Sequence, residues 1–401
     1  MRGLVGAADL DRAREVIVSL FEVTCKDGRQ SARLPSGHLA CGHYFGLLDR
    51  EQRGLYGTAA AIRVLSQERN PADRELTAAL VAYLTDRPVL ERDLADPDDL
   101  AGIERKLADD THTTTRVAEV LFALSTVKLG TAAIQPTAQQ LAELLLAGAT
   151  SEGWGYLLDQ PGEVAIVPTA MAVRALAAHG YDVSGQARTL VRALTSGADP
   201  YAQTYCLLVL WEAGMLGRRE ARRHLKRLWA RLAGGFDVSV EANVEWVRGR
   251  DWHAIRLPWQ LYLMTAAASI APWWLLARRR AQRKLADLVT ELVEQGSFVY
   301  PYSGPYPSTR THSIVYDLLR VVAGHGAVGS RRVSLLLVGD LVREAASSRV
   351  TRWLARLLAV TLVTLSLLDW RGQPSALVGT VAPGMLSALV LFLLSVGGDH
   401  R

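Results

Sequence analysis

The chain has 401 residues, of which 49% are hydrophobic and 21% are charged, and its net charge is +5. This composition is typical of a globular, partly membrane-like protein, and the length suits one large domain with an appendage. Only three cysteines occur, which argues against a disulfide scaffold and for a reducing compartment.

The first fifty residues are expected to lead into the main domain. Residues 9–23 have the apolar spacing of an amphipathic helix, and residues 25–54 are irregular. Cys25, His38, Cys41 and His43 fall in this irregular segment and are candidate metal ligands. Their spacing matches no established zinc pattern, so the alternative is an incidental cluster and no metal is assigned.

A short motif recurs along residues 51–348. Residues 58–65 (T-A-A-A-I-R-V-L) match residues 169–176 (T-A-M-A-V-R-A-L), and looser copies start near Thr114, Gln203, Gln260 and His312. Each copy is a small, apolar helix followed by an amphipathic one. Helix pairs repeated at this spacing predict an all-α fold, an (α/α)6 toroid of six inner and six outer helices.

The central copy carries a family resemblance. Residues 153–156 read G-W-G-Y, and residues 168–180 read P-T-A-M-A-V-R-A-L-A-A-H-G. This pattern resembles the repeat of squalene–hopene cyclases and of protein prenyltransferase β subunits. The resemblance covers roughly residues 40–346 and implies an α/α toroid, while it specifies the fold more than the chemistry.

The resemblance also implies a catalytic acid. Class II terpene cyclases carry a D-x-D-D motif in the cavity, and residues 107–111 (L-A-D-D-T) resemble it with Leu107 in place of the first Asp. Asp109 corresponds to the proton donor, and Asp110 would tune its acidity. The alternative is that Asp109 and Asp110 cap the helix that follows.

Aromatic residues near the loops are candidate ligand contacts, because their rings can stabilise cationic intermediates or line an apolar cavity. His312 falls where prenyltransferases keep a zinc-binding His, but matching Asp and Cys ligands are not evident, so neither a metal nor a cofactor is expected. The ligand-binding candidates are Trp154, Tyr156, Trp259, Tyr302, Tyr306 and His312.

Two outer helices are strongly basic. Residues 218–231 hold seven Arg or Lys residues, and residues 278–284 hold five. Such a helix has a solvated face or contacts anionic lipid. Nucleic acid is not expected as a partner, since no reading motif accompanies the charge. Residues 251–270 could span a bilayer by length, but their repeat position favours a buried inner helix.

The end of the chain, residues 350–401, has the pattern of a transmembrane hairpin. Residues 375–396 carry no charge, and residues 353–370 form a shorter apolar run. Arg343, Arg349 and Arg352 precede both runs, and Arg356 lies near the start of the shorter one, where its side chain can snorkel. The positive-inside rule therefore predicts a cell inner membrane protein with its toroid and both termini in the cytoplasm.

Two functions follow from this organisation. In the first, the toroid binds a hydrophobic, isoprenoid or lipid-like ligand, or a partner, without full cyclase chemistry. It would then act as a sensor or effector, by architectural analogy with bacterial stress or phage-defence effectors. In the alternative, the chain is a class II terpene cyclase-like enzyme that acts on a polyprenyl substrate with Asp109 as general acid.

Overall fold

The structure is a computed structural model that describes residues 7–27, 38–42, 45, 54–68, 70–95, 113–127, 131–158, 164–196, 199–232, 242–246, 254–272, 279–297 and 307–324. The chain divides into two compact units, residues 1–275 with 280–329, and residues 276–279 with 330–401. Every described residue except Arg279 belongs to the first unit.

Thirteen helices and two short strands are present among these residues, so the prediction of an all-α class is confirmed, with one small sheet added. The helices are α1 (Ala7–Asp27), α2 (Leu55–Leu65), α3 (Pro71–Thr85), α4 (Arg87–Ala95), α5 (Thr114–Ser125), α6 (Thr131–Ala147), α7 (Ile166–Ala178), α8 (Ser184–Thr195), α9 (Pro200–Glu212), α10 (Arg218–Leu232), α11 (Trp259–Ile270), α12 (Arg279–Gln295) and α13 (Thr309–Gly324). The strands are β1 (Ala242–Trp246) and β2 (Ala254–Leu257).

Six helices contact one another in a closed cycle. Helix α2 contacts α5, α5 contacts α7, α7 contacts α9, α9 contacts α11, α11 contacts α13, and α13 contacts α2. These are the helices that carry the six copies of the sequence motif, and we refer to them as the six-helix cycle. Each is buried on nearly every side; all eleven residues of α2 are buried, for example. The small residues of the motif explain this, because they let helices approach from several directions.

Equivalent positions of the repeat meet across the cycle. Tyr205 and Tyr262 both lie two residues after a motif start, and their ring centroids are 4.5 Å apart. Arg63 and Glu119 both lie five residues after a motif start, and they form an ion pair. A second contact in each pair gives the direction: Tyr56 bonds Thr115 before Arg63 bonds Glu119, and Tyr201 contacts Trp259 before Tyr205 contacts Tyr262, in the same order along both helices. Helix α2 is therefore parallel to α5, and α9 is parallel to α11.

The first residue of most motif copies forms a hydrogen bond with a neighbouring loop or helix end. It is a buried polar residue whose side chain bonds to a backbone atom, so the loop loses no hydrogen bond on burial. These bonds join Thr58 Oγ1 to Cys41 N (3.1 Å), Thr114 Oγ1 to Gly155 O (2.7 Å), Thr169 Oγ1 to Trp154 N (3.0 Å), Gln203 Nε2 to Ala193 O (2.6 Å) and His312 Nδ1 to Ser308 O (2.8 Å).

Outer helices cover four members of the cycle. Helices α3, α6, α8 and α10 contact α2, α5, α7 and α9 respectively. In α8 the buried positions are Ala187, Leu190, Ala193 and Leu194, which recur three or four residues apart and form one apolar stripe. The outer helices are thus amphipathic, as the sequence predicts.

Helix α1 packs against α2, α3 and α13, and a disulfide ties its last turn to the segment before α2. Cys25 and Cys41 are bonded with their Cα atoms 4.8 Å apart, and both are fully buried. The expectation that the cysteines are reduced is therefore wrong for this pair, because the cysteine count says nothing about which segments the fold brings together. The third cysteine, Cys206, is buried and is not part of a disulfide.

The disulfide also removes two of the four candidate metal ligands. Of the others, His38 pairs through Nε2 with Asp86 Oδ2 at 2.7 Å, and His43 lies outside the described residues. Within the described ranges no group of three or more His, Cys, Asp or Glu side chains is arranged to hold a metal ion.

The fifth inner helix is shorter than predicted. Residues 254–257 form β2, which pairs antiparallel with β1 from Ala242 opposite Leu257 to Trp246 opposite Ala254. Leu257 precedes Pro258, and the residue before a proline avoids the helical region. Helix α11 therefore begins only at Trp259. Helix α4 was not predicted, and it buries Val89 and Leu90 after the turn at Asp86.

Across the described residues, no helix is both long enough and apolar enough to cross a membrane. The predicted hairpin, residues 350–401, lies outside those residues and stays a prediction. The same holds for Asp109, Asp110, Tyr302 and Tyr306.

Candidate functional site

Trp154 and Tyr156 hold the turn before α7. Trp154 is fully buried, and its Nε1 donates to Leu145 O at 2.7 Å. Its backbone N and O both bond the Thr169 hydroxyl, at 3.0 and 3.2 Å. The backbone O of Tyr156 accepts from Thr114 N at 2.8 Å. The contacts of this turn therefore join α6, α7 and the start of α5.

Trp259 and His312 lie at the first turns of α11 and α13. The Trp259 ring packs against Tyr201 at 5.1 Å between centroids. The His312 ring is fully buried and packs edge-on against Phe45 at 5.0 Å. Burial lowers the pKa of His312 to about 4, although its hydrogen bond to Ser308 O acts in the opposite direction. His312 is therefore neutral at physiological pH.

A set of charged residues that sequence analysis did not select lies between the helices of the cycle. The fifth residue after the motif start is Arg63 in α2, Glu119 in α5, Arg174 in α7 and Asp317 in α13. These four residues, with Glu212 of α9, are called the ion-pair cluster below. The repeat alignment could have found them, because charges at one repeat position of helices that are otherwise apolar are a signal of pairing.

Arg63 is the centre of the ion-pair cluster. Its guanidinium donates to Glu119 Oε1 at 2.8 Å and to Asp317 Oδ2, and its side chain is only 4% exposed. Burial lowers the pKa of Arg63, but the charges of Asp317 and Glu119 raise it, and the net shift is upward. This residue thus links α2 to both of its neighbours in the cycle.

Arg174 forms the second pair. It makes two hydrogen bonds to Glu212, from Nε at 2.6 Å and from Nη2 at 3.0 Å, the paired geometry that is strongest between these groups. The ring of Phe122 connects the two pairs, because the guanidinium carbons of Arg174 and Arg63 lie 4.0 and 5.2 Å from its centroid.

The carboxyl groups of the ion-pair cluster already accept hydrogen bonds from arginine side chains. Burial raises the pKa of Glu119, but the charges of Arg63, Arg310 and Arg174 and the hydrogen bond from Arg63 lower it, and the net shift is below the ordinary value. A general acid that protonates an alkene needs a raised pKa instead. Glu119 is therefore a poor proton donor.

A second set, called the Arg310 cluster, consists of Arg310, Tyr205, Tyr262 and Tyr56. They come from α13, α9, α11 and α2, and all lie within the first half of their helices. Arg310 interacts electrostatically with all three tyrosines and with Glu119. Its one hydrogen bond within the described part of the chain is a weak contact from Nη2 to the Met171 sulfur at 3.9 Å.

The tyrosines of the Arg310 cluster differ in their hydrogen bonds. The Tyr56 hydroxyl bonds Thr115 Oγ1 at 3.1 Å. The hydroxyls of Tyr205 and Tyr262 have no hydrogen-bond partner among the described residues, although these residues are only 3% and 4% exposed. Burial raises the pKa of both, against the opposing effect of nearby arginines. Both hydroxyls therefore keep their protons and can act as donors.

No family model matches the chain, and no curated protein matches it at a significant level. The function therefore has to be argued from the two clusters.

Proposed function

We propose that the six-helix cycle is the inner ring of an (α/α)6 toroid, and that this toroid binds a hydrophobic or amphiphilic ligand without cyclising it. The closed order of contacts supports the ring, since each member touches the next and the last touches the first. The repeat-equivalent contacts support parallel inner helices, which a toroid of helix pairs requires.

The ion-pair cluster is the observation that favours binding over acid catalysis. Buried charges are costly unless they are paired, and here each carboxyl group is bonded to an arginine. Such groups hold neighbouring helices in register and have no proton to give. The cyclase alternative depends on Asp109, which lies outside the described residues, and stays a prediction from the sequence.

The proposed role is that of a membrane-anchored sensor or effector, with the predicted hairpin as the anchor and an isoprenoid or other lipid-like molecule as the ligand. Helix α10 supports a membrane location. Its seven cations are all exposed, while Ala221, Leu225 and Leu228 are buried against the fold. A helix with such a face is attracted to anionic lipid by about 1 kcal/mol for each Arg or Lys near the surface.

The contact of α10 with lipid is tested by flotation of the full chain with vesicles that do or do not contain phosphatidylglycerol. The double variant Arg222→Gln, Arg223→Gln should reduce binding to the anionic vesicles. The matched double variant Arg188→Gln, Arg192→Gln on α8 removes the same charge and should bind as the wild type does. Equal behaviour of the two variants would count against the proposed surface.

Ligand binding is tested on the full chain, extracted in detergent and analysed by mass spectrometry for co-purified small molecules. Ala60 occupies on α2 the repeat position of Tyr205 and Tyr262. Ala60→Leu should therefore add volume inside the ring and reduce the recovered ligand about tenfold. The control is Ala230→Leu, the same change at an exposed site of α10. Recovery of no apolar molecule from the wild type would overturn the proposal.

A further inference from the structure

The Arg310 cluster contains three hydrogen-bond donor groups that bond to no oxygen or nitrogen acceptor in the described part of the chain. They are the guanidinium of Arg310 and the hydroxyls of Tyr205 and Tyr262. The two tyrosine rings lie 4.5 Å apart on neighbouring helices, and both interact electrostatically with Arg310. Donors from three helices therefore converge on one region between the helices of the cycle.

Donors inside a folded protein are costly when they lack acceptors, and an unpaired cation is the most costly kind. The carboxylate of Glu119 acts electrostatically on Arg310, but its Oε1 already accepts from Arg63 at 2.8 Å. Arg310 itself is only half-buried, so part of its surface remains accessible. These donor groups are complementary to a hydrogen-bond acceptor that carries negative charge.

The helix ends add to the positive potential. Arg310 is the second residue of α13, Tyr262 is the fourth of α11, and Tyr56 is the second of α2. The first turns of these helices lie at the cluster, and the positive ends of their dipoles favour an anion there. The Arg310 cluster as defined contains no carboxylate. The positive ends of the helices and the charge of Arg310 therefore both favour an anion.

We propose that Arg310, Tyr205 and Tyr262 form a binding site for an oxyanion, the carboxylate or phosphate group of the ligand that the toroid holds. This inference rests on the proposed function and adds a chemical class to it. The guanidinium supplies the charge and paired N–H groups, and the two phenol groups donate to the same oxyanion. The ligand is thus an amphiphile with an acidic end.

The test uses the full chain in detergent and measures dissociation constants by isothermal titration for dodecanoate, dodecyl phosphate, dodecanol and inorganic phosphate, each below its micellar concentration. Arg310→Gln removes the charge, Arg310→Lys keeps it, and Arg188→Gln is the control for total charge. The wild type should bind at least one of the two alkyl anions more tightly than dodecanol. Arg310→Gln should raise the dissociation constant of that anion about ten- to a hundredfold and leave the dissociation constant of dodecanol unchanged.

The outcomes separate this proposal from the proposed function. Equal binding of dodecanol and both anions, unaffected by Arg310→Gln, would overturn the oxyanion site while hydrophobic-ligand binding stands. Binding of inorganic phosphate alone, lost in Arg310→Gln and kept in Arg310→Lys, would support an oxyanion site and overturn the hydrophobic ligand. Binding of none of the four compounds would overturn the oxyanion site.

Discussion

The ion-pair cluster and the Arg310 cluster both lie on helices of the six-helix cycle, and they differ in how their arginines are paired. In the first, both arginines have carboxylate partners at 2.6 to 2.8 Å. In the second, the hydrogen bond of the arginine within the described residues is a contact with a thioether sulfur. Arg63 is buried and Arg310 is half-buried, so both guanidinium groups lose contact with water on folding. What distinguishes them is whether the fold itself completes the hydrogen bonds. A completed cluster stabilises the fold, and an incomplete one is suited to a ligand.

The largest effect is expected from a substitution that breaks the ion-pair cluster. Arg63→Met leaves the buried carboxylate of Glu119 and the partly exposed carboxylate of Asp317 without their cation, which should lower the free energy of unfolding by about 3–5 kcal/mol. Urea denaturation of the full chain measures it. Arg310→Met is the matched control, because it removes an arginine that forms no ion pair with a described carboxylate, and it should cost less than about 1 kcal/mol. Similar losses in both variants would contradict the distinction between the clusters.

The disulfide supports the end of the cycle where the Arg310 cluster lies. Cys41 N is bonded to Thr58 at the first turn of α2, so loosening this segment should affect the Arg310 cluster before the ion-pair cluster. The cysteines are 16 residues apart, and opening such a loop should cost about 3 kcal/mol.

The measurement compares urea midpoints with and without a thiol reductant, together with hydrogen exchange of α2. Cys206→Ser should respond to the reductant as the wild type does, whereas the double variant Cys25→Ser, Cys41→Ser should not respond. A reductant effect that persists in the double variant would contradict the assignment.

The smallest of the three effects is a pH dependence at His312, in the first turn of α13. Its folded-state pKa of about 4 lies below the ordinary value, so the unfolded chain takes up a proton first as the pH falls. The stabilisation that comes from the lowered pKa of His312 is present above the ordinary pKa and is lost as the pH falls toward the folded-state pKa. Between pH 7 and pH 5 the free energy of unfolding should drop by about 2 kcal/mol.

His312→Gln keeps a donor for Ser308 O and should lack this part of the pH dependence. The ion-pair cluster should not contribute over the same range. The lowered pKa of Glu119 means that its stabilisation is lost only as the pH falls through a folded-state pKa below the ordinary value. An equal slope in the wild type and His312→Gln between pH 7 and pH 5 would refute the assignment to His312.

Sequence patterns located most of the helices, because apolar residues recur along the chain at the spacing of the buried face of each helix. The motif copy at residues 58–65 and the basic segment at residues 218–231 lie in α2 and α10. Where a local rule was overlooked, the prediction was wrong. Pro258 excludes helix before it, and a strand occupies residues 254–257.

The sequence by itself determined the all-α class, the six motif copies and the polar residue that begins each copy, because these depend on composition and spacing within one helix. Only the tertiary structure decided which charges are paired. Arg63 and Asp317 are 254 residues apart, and the same motif position holds Arg, Glu, Leu, Thr or Asp in different copies. Pairing depends on which helices become neighbours, and that is fixed by the packing of the whole cycle. The same packing gives Arg310, Tyr205 and Tyr262 no oxygen or nitrogen acceptor among the described residues, which no single stretch of the chain could reveal.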